Sequence, residues 1–282
     1  METNGSLGII AGSGKLPFIL ADSAHRRGER VVCVALRNEA DPSLRDRVDR
    51  FHWCGVAKVG RLIRLFKKEG VDRAVMVGKV QKSRMYTPFR ILRMRPDFTT
   101  FKIWYRRARD KSDGTLLGEF ARELESKGIR VMDSSPWIQE NLAAKGTLSR
   151  RNPSASEQKD IRFGAKIALG LGQLDVGQSV AVKEEAVIAV EAMEGTDAMI
   201  RRAGDLAGGG FVVVKMAKPL QDLRFDIPTI GPATIQAMAD AGGRVLVVEA
   251  NKTLMIDPDD LMAEANRLGI CVVGVDTREM EG

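Results

Sequence analysis

Short apolar runs alternate with amphipathic segments along the whole chain. In the first half, apolar runs that predict buried strands lie at 7–11, 31–36, 51–53, 74–77 and 129–132. Segments with apolar residues every three or four positions predict helices at 18–27, 60–69 and 116–127. Strands that alternate with helices in this way are typical of a parallel sheet. We therefore predict an N-terminal Rossmann-like α/β domain over residues 1–134.

The second half has its own series of apolar runs. Two of them, 179–183 and 187–190, are close enough to form a hairpin, and further strands are predicted at 211–214, 245–248 and 271–275. Helices are predicted at 157–171 with Ser156 as cap, at 198–206 with Thr196 or Asp197 as cap, at 235–241 and at 258–268. We predict a second α/β domain over 156–282, joined to the first by a linker at 135–155, where periodicity is weak and turn residues are frequent.

A glycine-containing turn follows the first predicted strand. Gly12, Ser13 and Gly14 precede a predicted helix, which would complete a β-α-β unit with the second strand. A dinucleotide site is not favoured, because Pro17 stands where the fingerprint G-x-G-x-x-G requires its third glycine. Two interpretations stay open: the turn binds a phosphate at the helix N-terminus, or it is a purely structural tight turn.

Composition narrows the choice of partner and compartment. The chain has 282 residues, 44% of them hydrophobic, and a net charge of +7, which suits an anionic partner. Residues 1–4 lack the basic n-region of a signal peptide, and no apolar run approaches the length that spans a bilayer, so we expect a cytoplasmic protein. Cys33, Cys54 and Cys271 share no metal-binding or redox spacing, and we expect them to be reduced and mostly buried.

Basic and aromatic residues are concentrated between Lys79 and Lys111. This mixture is found in proteins that bind single-stranded nucleic acid, in proteins that lie on a membrane surface, and in ordinary helices whose long basic side chains cover apolar surface. The pattern alone leaves these alternatives open. Lys79 itself follows Gly78 at the end of a predicted strand, which is a suitable place for a substrate contact and also a common place for a solvated lysine.

The segment 218–234 is too polar for a core, although it follows the apolar run 211–214. Its prolines and Gly231 favour a rigid, non-helical loop in which polar side chains are held in place. Loops at the ends of buried strands are where α/β sheets place their ligands. The candidate site residues of this loop and of the strand before it are Lys215, Lys218, Gln221, Asp222, Arg224 and Asp226.

Oxygen ligands in this loop suit magnesium. Magnesium is held by one or two carboxylates together with waters and phosphates, and Asp222 and Asp226 are two carboxylates on one loop. Lys215, Lys218 and Arg224 are suited to phosphate oxygens. A second acidic set, Glu191, Glu194 and Asp197, is either an alternative site or a group of helix caps and ion pairs.

The loop motif K-P-x-Q-D-x-R-x-D-x-P-T-x-G-x-x-T resembles the signature of the magnesium-dependent UDP-2,3-diacylglucosamine pyrophosphatases of lipid A synthesis, the type with its own fold. The segments 8–17, 191–197 and 248–250 are also similar to that family, so the resemblance covers nearly the whole chain. Leu220 departs from it, because the family usually has glycine there.

The resemblance implies hydrolysis of UDP-2,3-diacylglucosamine to 2,3-diacylglucosamine 1-phosphate and UMP, with Mg²⁺ and a site in the cleft between two domains. It implies that Asp226 is the functional aspartate. We assign catalytic roles to Asp226, Asp222, Lys218 and Arg224, and magnesium ligation to Asp226 and Asp222. Substrate binding is assigned to Gly12, Ser13, Gly14, Lys79, Thr196, Lys215 and Gln221.

The family also favours lipid over nucleic acid as the partner of the basic segment. We therefore expect a peripheral protein at the inner membrane surface that binds its substrate and its lipid phosphate product and no nucleic acid. The sequence leaves open whether two chains form a homodimer. Two other classes of function remain, a nucleotide-dependent oxidoreductase and a nonenzymatic binder of anionic lipid or nucleic acid.

Overall fold

The computed structural model describes residues 5–80, 96–107, 113–218, 222, 224–225 and 227–279. The chain divides into two compact units. The N-terminal unit comprises Met1–Ile138 with Asp222–Asp226, and the C-terminal unit comprises Gln139–Gln221 with Ile227–Gly282. The predicted α/β fold, with a parallel sheet first and a second α/β domain after it, is confirmed.

The helices are α1 (Leu16–Arg26), α2 (Val59–Lys68), α3 (Phe98–Arg107), α4 (Asp113–Glu125), α5 (Ser135–Ile138), α6 (Ala155–Gln173), α7 (Thr196–Ala207), α8 (Pro232–Asp240) and α9 (Pro258–Leu268). The strands are β1 (Leu7–Ala11), β2 (Val31–Leu36), β3 (Arg50–Cys54), β4 (Arg73–Val77), β5 (Arg130–Met132), β6 (Gly146–Thr147), β7 (Ser179–Lys183), β8 (Ala186–Val190), β9 (Val212–Lys215), β10 (Thr229–Ile230), β11 (Val245–Glu249), β12 (Leu254–Met255) and β13 (Cys271–Val275). Short 3₁₀ turns cover Pro42–Arg47, Gln139–Asn141 and Thr277–Glu279.

The N-terminal sheet has the order β3-β2-β1-β4-β5, and its pairs are all parallel. Alternate residues of β1 face opposite sides. Leu7 and Ile9 pack in one cluster with Leu20 of α1, whereas Ile10 packs in another with Phe66 of α2. Both faces of the sheet are therefore covered by helices. The strand order reverses direction between β1 and β4, which is where ligands bind in sheets of this kind.

The C-terminal sheet has the order β6-β13-β11-β9-β7-β8. Its three central strands, β13, β11 and β9, are parallel, and β6 and β7 flank them in the antiparallel direction. The predicted hairpin of β7 and β8 is confirmed. One face packs against α6, which approaches so closely that a Cβ at Gly164 would lie 2.7 Å from Val214 Cγ2. The other face packs against α7, α8 and α9.

Two expected helix starts were wrong. The cap of α6 is Ser154 rather than Ser156, because Ser154 forms a reciprocal capping box with Glu157. The residue before α7 is Gly195 in a positive-φ conformation (φ 84°), so neither Thr196 nor Asp197 is the cap. The hydroxyl of Thr196 is engaged elsewhere, as described below.

The segment 218–234 is less uniform than expected. Its last part is not a loop, since β10 pairs with β12 and α8 already begins at Pro232. Proline is compatible with the first helical turn, where its missing N–H has no intrahelical partner to lose. The prediction of a non-helical segment up to residue 234 was therefore wrong at its C-terminal end.

The predicted linker contains secondary structure. Helix α5 belongs to the N-terminal unit, and its Trp137 Nε1 donates a hydrogen bond to Glu29 Oε1 at 2.9 Å. Strand β6 belongs to the C-terminal sheet. The structure does not contradict a boundary in this region, and the limits 135–155 stay a prediction.

The three cysteines are buried and carry free thiols, and burial raises the pKa of the Cys33 thiol to about 12. None of the helices in the described part of the chain is long and apolar enough to cross a membrane.

Candidate functional site

Four polar residues meet at one end of the strands of the C-terminal sheet, where β9 terminates. Lys215 ends β9, Ser179 begins the antiparallel β7, and Glu191 directly follows β8. The register pairs Ser179 with Lys215, and Glu191 N donates to Ser179 O at 2.9 Å, so the three lie side by side across neighbouring strands. Thr196, at the start of α7, joins them. The sheet register thus collects residues that are up to 36 positions apart in the sequence.

Thr196 is at the centre of this group. Lys215 Nζ donates to Thr196 Oγ1 at 2.9 Å, and Thr196 Oγ1 donates to Glu191 Oε1 at 2.9 Å. Ser179 Oγ lies 3.4 Å from the same hydroxyl oxygen. Two of the predicted substrate-binding residues, Thr196 and Lys215, are therefore brought into direct contact.

The group is almost fully buried. Lys215 is 6% exposed and Glu191 is 7% exposed. Glu191 Oε2 has no hydrogen-bond partner among the described residues. A buried ammonium is costly unless an opposite charge or several acceptors accompany it, and Glu191 supplies that charge through the hydroxyl of Thr196.

A second buried carboxylate, Glu249, ends the neighbouring strand β11. Its Oε2 accepts from Ala217 N at 2.9 Å, and its Oε1 accepts from Thr277 Oγ1 at 3.0 Å and from Lys252 Nζ at 2.6 Å. Glu249 is 1% exposed. Because Ala217 directly precedes the predicted catalytic loop, this carboxylate fixes the point at which that loop leaves the sheet.

The predicted loop residues have different surroundings. Lys218 Nζ forms an ion pair with Asp175 Oδ1 at 2.6 Å, within the C-terminal unit. Asp226 and Gln221 lie outside the described residues. Their predicted roles stay predictions.

Asp222 and Arg224 form a tight pair within the N-terminal unit. Arg224 Nε lies 3.0 and 3.1 Å from the two carboxylate oxygens, Nη2 donates to Oδ2 at 2.7 Å, and Arg224 N donates to Oδ1 at 3.1 Å. The hydrogen bonds from Arg224 hold the pKa of Asp222 below its usual value and raise the pKa of Arg224. Arg224 Nη1 also reaches Glu125 Oε1 at 3.3 Å.

This pairing bears on the predicted magnesium site. A carboxylate offers about four acceptor positions, and Arg224 directs three N–H donors, Nε, Nη2 and the backbone N, to those of Asp222. In this arrangement Asp222 does not fit as a metal ligand unless Arg224 moves away. Among the described residues, no group of three or more His, Cys, Asp or Glu side chains is placed to hold a metal ion.

The glycine turn follows β1, next to the point where the strand order of the N-terminal sheet reverses between β1 and β4. Gly12 N donates to Val77 O, Ser13 and Lys79 exchange backbone hydrogen bonds, and Ser13 Oγ donates to Lys79 O at 2.9 Å. A Cβ at Gly12 would lie 2.6 Å from Lys79 O. The N–H groups of Gly12 and Ser13 are thus used within the protein, which supports the structural interpretation for these two residues.

Gly14 adopts φ 98° and has no atom near the position of a Cβ. A phosphate at this turn would depend on N–H groups after Ser13. Phosphate binding at the start of α1 stays a prediction.

The second acidic set separates into different roles. Glu194 pairs with Arg202 at 2.6 Å and accepts from Ala192 N at 3.1 Å, as expected for the structural interpretation. Asp197 lies in the first turn of α7. Glu191 is the member that joins the buried group.

Sequence reasoning did not single out Glu249, Asp175 or Ser179 as site residues. Glu249 and Lys215 carry a signal that was available, since each is the charged last residue of an otherwise apolar strand, VLVVE and VVVK. Ser179 and Asp175 carry no such signal, because their positions depend on the pairing of distant strands and on a loop.

Comparison with known proteins gives matches over both units. Residues 6–141 match the model of the LpxI N-terminal domain, and residues 144–273 match that of the LpxI C-terminal domain. A curated protein of Caulobacter vibrioides, named UDP-2,3-diacylglucosamine pyrophosphatase LpxI, is 35% identical over 287 aligned positions, which cover 97% of this chain and 98% of that protein.

Among solved structures, a biotin carboxylase complex from Campylobacter jejuni is 11% identical with a TM-score of 0.26. The match covers 72% of this chain and 42% of that one. At this TM-score the similarity supports no conclusion about fold or activity.

Proposed function

Because the chain belongs to the LpxI family, we propose that it is an enzyme of lipid A biosynthesis that hydrolyses the pyrophosphate bond of UDP-2,3-diacylglucosamine. The products are 2,3-diacylglucosamine 1-phosphate and UMP. The observation that carries this proposal is the near full-length match at 35% identity to a protein named for that activity. Both family domains match as well, so the resemblance is not limited to one half.

The edge of the C-terminal sheet suits this chemistry. Hydrolysis of a pyrophosphate requires positive charge and hydrogen-bond donors at the non-bridging oxygens, where negative charge develops. Lys215 lies at the end of a buried strand, and Lys218 follows it closely. We assign both to phosphate oxygens, with Glu249 holding the backbone between them through Ala217 N.

Magnesium dependence is part of the proposal and rests on the resemblance of the loop motif. When bound, magnesium would neutralise charge on the phosphate oxygens. We propose Asp226 as its protein ligand. Asp222 joins it only if the bonds to Arg224 open, so its first role here is to orient the guanidinium toward phosphate.

One assay tests substrate, reaction and metal together. UDP-2,3-diacylglucosamine is incubated with the purified protein, with magnesium and with EDTA, and UMP and the lipid phosphate are measured. We expect turnover that EDTA abolishes and magnesium restores. Equal turnover in EDTA would refute the magnesium requirement, and no turnover in any condition would refute the activity.

Asp226→Asn and Asp222→Asn form a matched pair for the site assignment. We expect Asp226→Asn to lower kcat by about 100-fold or more, as when one preorganised electrostatic group is lost, and substrate affinity to persist. Asp222→Asn should lower it less, since Arg224 retains one acceptor. A folded Asp226→Asn protein with nearly full turnover would refute its assignment.

We also propose that the enzyme binds the inner membrane surface from the cytoplasm. In α3, Phe98 is 84% exposed and Phe101 is 49% exposed, and basic residues flank them in the sequence. Residues 81–95 and 108–111 of the predicted membrane-binding segment lie outside the described residues. Vesicle flotation tests this: we expect salt-sensitive recovery with anionic vesicles, and equal recovery with neutral vesicles would refute the electrostatic part.

Light scattering of the purified protein without vesicles decides between a monomer and a homodimer.

The nucleotide-dependent oxidoreductase is not favoured. Pro17 stands within the first turn of α1, at the position of the missing glycine, and the near full-length relative is named for a different activity. Absence of nicotinamide absorbance in the purified protein is the expected result. We likewise propose that the enzyme does not bind nucleic acid.

A further inference from the structure

We propose that Glu191 is a positioning residue for this hydrolysis, acting on Lys215 through the hydroxyl of Thr196. The inference rests on the proposed function and adds a residue to it. Three observations carry it: the fixed backbone of Glu191, the direction of the hydrogen bonds at Thr196, and the incomplete pairing of the buried carboxylate.

The backbone of Glu191 is held from two sides. Its N–H donates to Ser179 O at 2.9 Å. Its carbonyl oxygen faces Gly177, where a Cβ would lie only 2.0 Å away, so the close approach requires glycine. The carboxylate therefore starts from a fixed point at the sheet edge, and little freedom has to be lost to orient it.

The hydrogen bonds at Thr196 have a determined direction. An ammonium has donors and no acceptor, so Thr196 Oγ1 must accept from Lys215 Nζ, at 2.9 Å. The single hydroxyl hydrogen is then available for Glu191 Oε1, also at 2.9 Å. A carboxylate, which only accepts, fixes this orientation of the hydroxyl and leaves the Thr196 oxygen lone pairs directed to Lys215.

The carboxylate of Glu191 is not saturated, unlike the other buried carboxylates of this unit. Asp160 accepts from Glu184 N and Glu185 N with separate oxygens, and Glu249 uses both of its oxygens. Glu191 Oε2 is buried without a partner among the described residues. A buried oxygen without a protein partner calls for an explanation, which is strain, a bound water or a functional role, and the position of Glu191 next to Thr196 and Lys215 favours the functional role.

The charge of Glu191 therefore has a role besides the hydrogen bond. Lys215 is 6% exposed at the edge where phosphate is proposed to bind. The carboxylate beyond Thr196 is a counter-charge one hydroxyl away from the ammonium, and it helps to hold the ammonium in place. During turnover the ammonium remains aimed at the phosphate oxygens, because Thr196 restrains it from the opposite side.

The test compares Glu191→Gln with Glu194→Gln. Both make the same change in one loop, but Glu194 pairs with Arg202 and contacts neither Thr196 nor Lys215 in the described structure. With UDP-2,3-diacylglucosamine as substrate, Glu191→Gln should lower kcat by on the order of 10-fold or more and change KM by less, an effect of the size seen when the residue that orients a metal ligand is lost. Glu194→Gln should match the wild-type protein.

Two further variants keep the inference testable if Glu191→Gln folds poorly. Thr196→Val removes the hydroxyl with little change in shape, and Thr196→Ser restores it. We expect Thr196→Val to lower kcat and Thr196→Ser to recover most of it, with melting curves recorded for each. Equal kcat for the two variants would overturn the inference that Glu191 acts on Lys215 through the hydroxyl of Thr196.

A double-mutant cycle separates positioning from a purely structural role. If Glu191 acts through Lys215, Glu191→Gln should have no further effect on kcat/KM in a Lys215→Met background. Additive effects would overturn the inference, as would an unchanged kcat in Glu191→Gln. Absence of turnover in the wild-type protein would refute the proposed function itself, whereas wild-type turnover with an inert Glu191→Gln change refutes only the positioning role.

Discussion

The replacement Glu249→Gln should destabilise the C-terminal unit and loosen the start of the catalytic loop. Glu249 is 1% exposed, and its oxygens accept from Ala217 N, Thr277 Oγ1 and Lys252 Nζ. Glutamine has the same shape but one acceptor oxygen. In its best orientation the amide oxygen still accepts from Ala217 N, and the amide nitrogen donates to Thr277 Oγ1.

The magnitude follows from the bonds that change. Two charge-assisted hydrogen bonds, worth about 1.5–3 kcal/mol each, become neutral ones worth about 1 kcal/mol each. The ion pair with Lys252, whose side chain is 48% exposed, adds little, because exposed pairs are worth about 0–1 kcal/mol. We expect a loss of about 1–4 kcal/mol in the free energy of unfolding. Glu249→Met, which leaves the Ala217 N–H and the Thr277 hydroxyl without this acceptor, should cost about 2–6 kcal/mol, at about 1–3 kcal/mol for each unsatisfied donor.

Urea unfolding of the three proteins measures these differences. Hydrogen exchange at the Ala217 amide is the local readout, and protection there should fall in the order wild type, Glu249→Gln, Glu249→Met. The control is Glu264→Gln on α9, which breaks an ion pair with Arg267 at the surface and should leave the midpoint unchanged. Unchanged stability in Glu249→Met, together with unchanged exchange at Ala217, would refute the reasoning.

Three other predictions concern the turns and the loop. Glu184 and Glu185 both adopt positive φ, 53° and 54°, in the β7–β8 hairpin, so the double change to Asn and Gly should raise the free energy of unfolding, measured in urea, by about 1 kcal/mol. Gly12→Ala should lower the melting temperature, because the new Cβ would lie 2.6 Å from a backbone oxygen. Arg224 lowers the pKa of Asp222 in the folded protein. The stabilising contribution of Asp222 is therefore complete above the ordinary carboxyl pKa of about 4, and it is lost as pH falls through the lower folded-state pKa. The stability difference between wild type and Asp222→Asn should shrink over that pH range, and a constant difference would contradict the pairing.

Much of the fold follows from local patterns. Strands β1 and β13 cover the predicted ranges, because each is a continuous apolar run that ends at polar or glycine-rich sequence. The same rule fails for β10 and β12, which are two residues long and too short for any periodicity. Strand β6 was hidden inside a segment rich in turn residues, since its pairing with β13 is decided by tertiary contacts.

The candidate site was predictable in its residue types and less so in its geometry. Lys215 and Thr196 were both expected to bind substrate, yet their contact depends on the sheet register and on α7 starting one residue after Gly195. The cap assigned to Thr196 was wrong for the same reason, because a buried lysine and carboxylate compete for its hydroxyl more effectively than the helix N-terminus. Local sequence contains no information about that competition.

Two buried carboxylates at one sheet edge therefore have separable effects. Both oxygens of Glu249 accept hydrogen bonds, one of them from the backbone N–H of Ala217. The loss of this carboxylate should therefore appear first in the free energy of unfolding and in amide exchange. Glu191 leaves one oxygen without a partner in the described structure and acts on a side chain, so its neutralisation removes no complete set of hydrogen bonds and should appear first in kcat. When both variants are measured on the same preparations, Glu249→Gln should lose mainly stability, and Glu191→Gln should lose mainly turnover. If both variants lose stability and turnover in the same proportion, the two carboxylates have one common structural role and the division drawn from their hydrogen bonds is wrong.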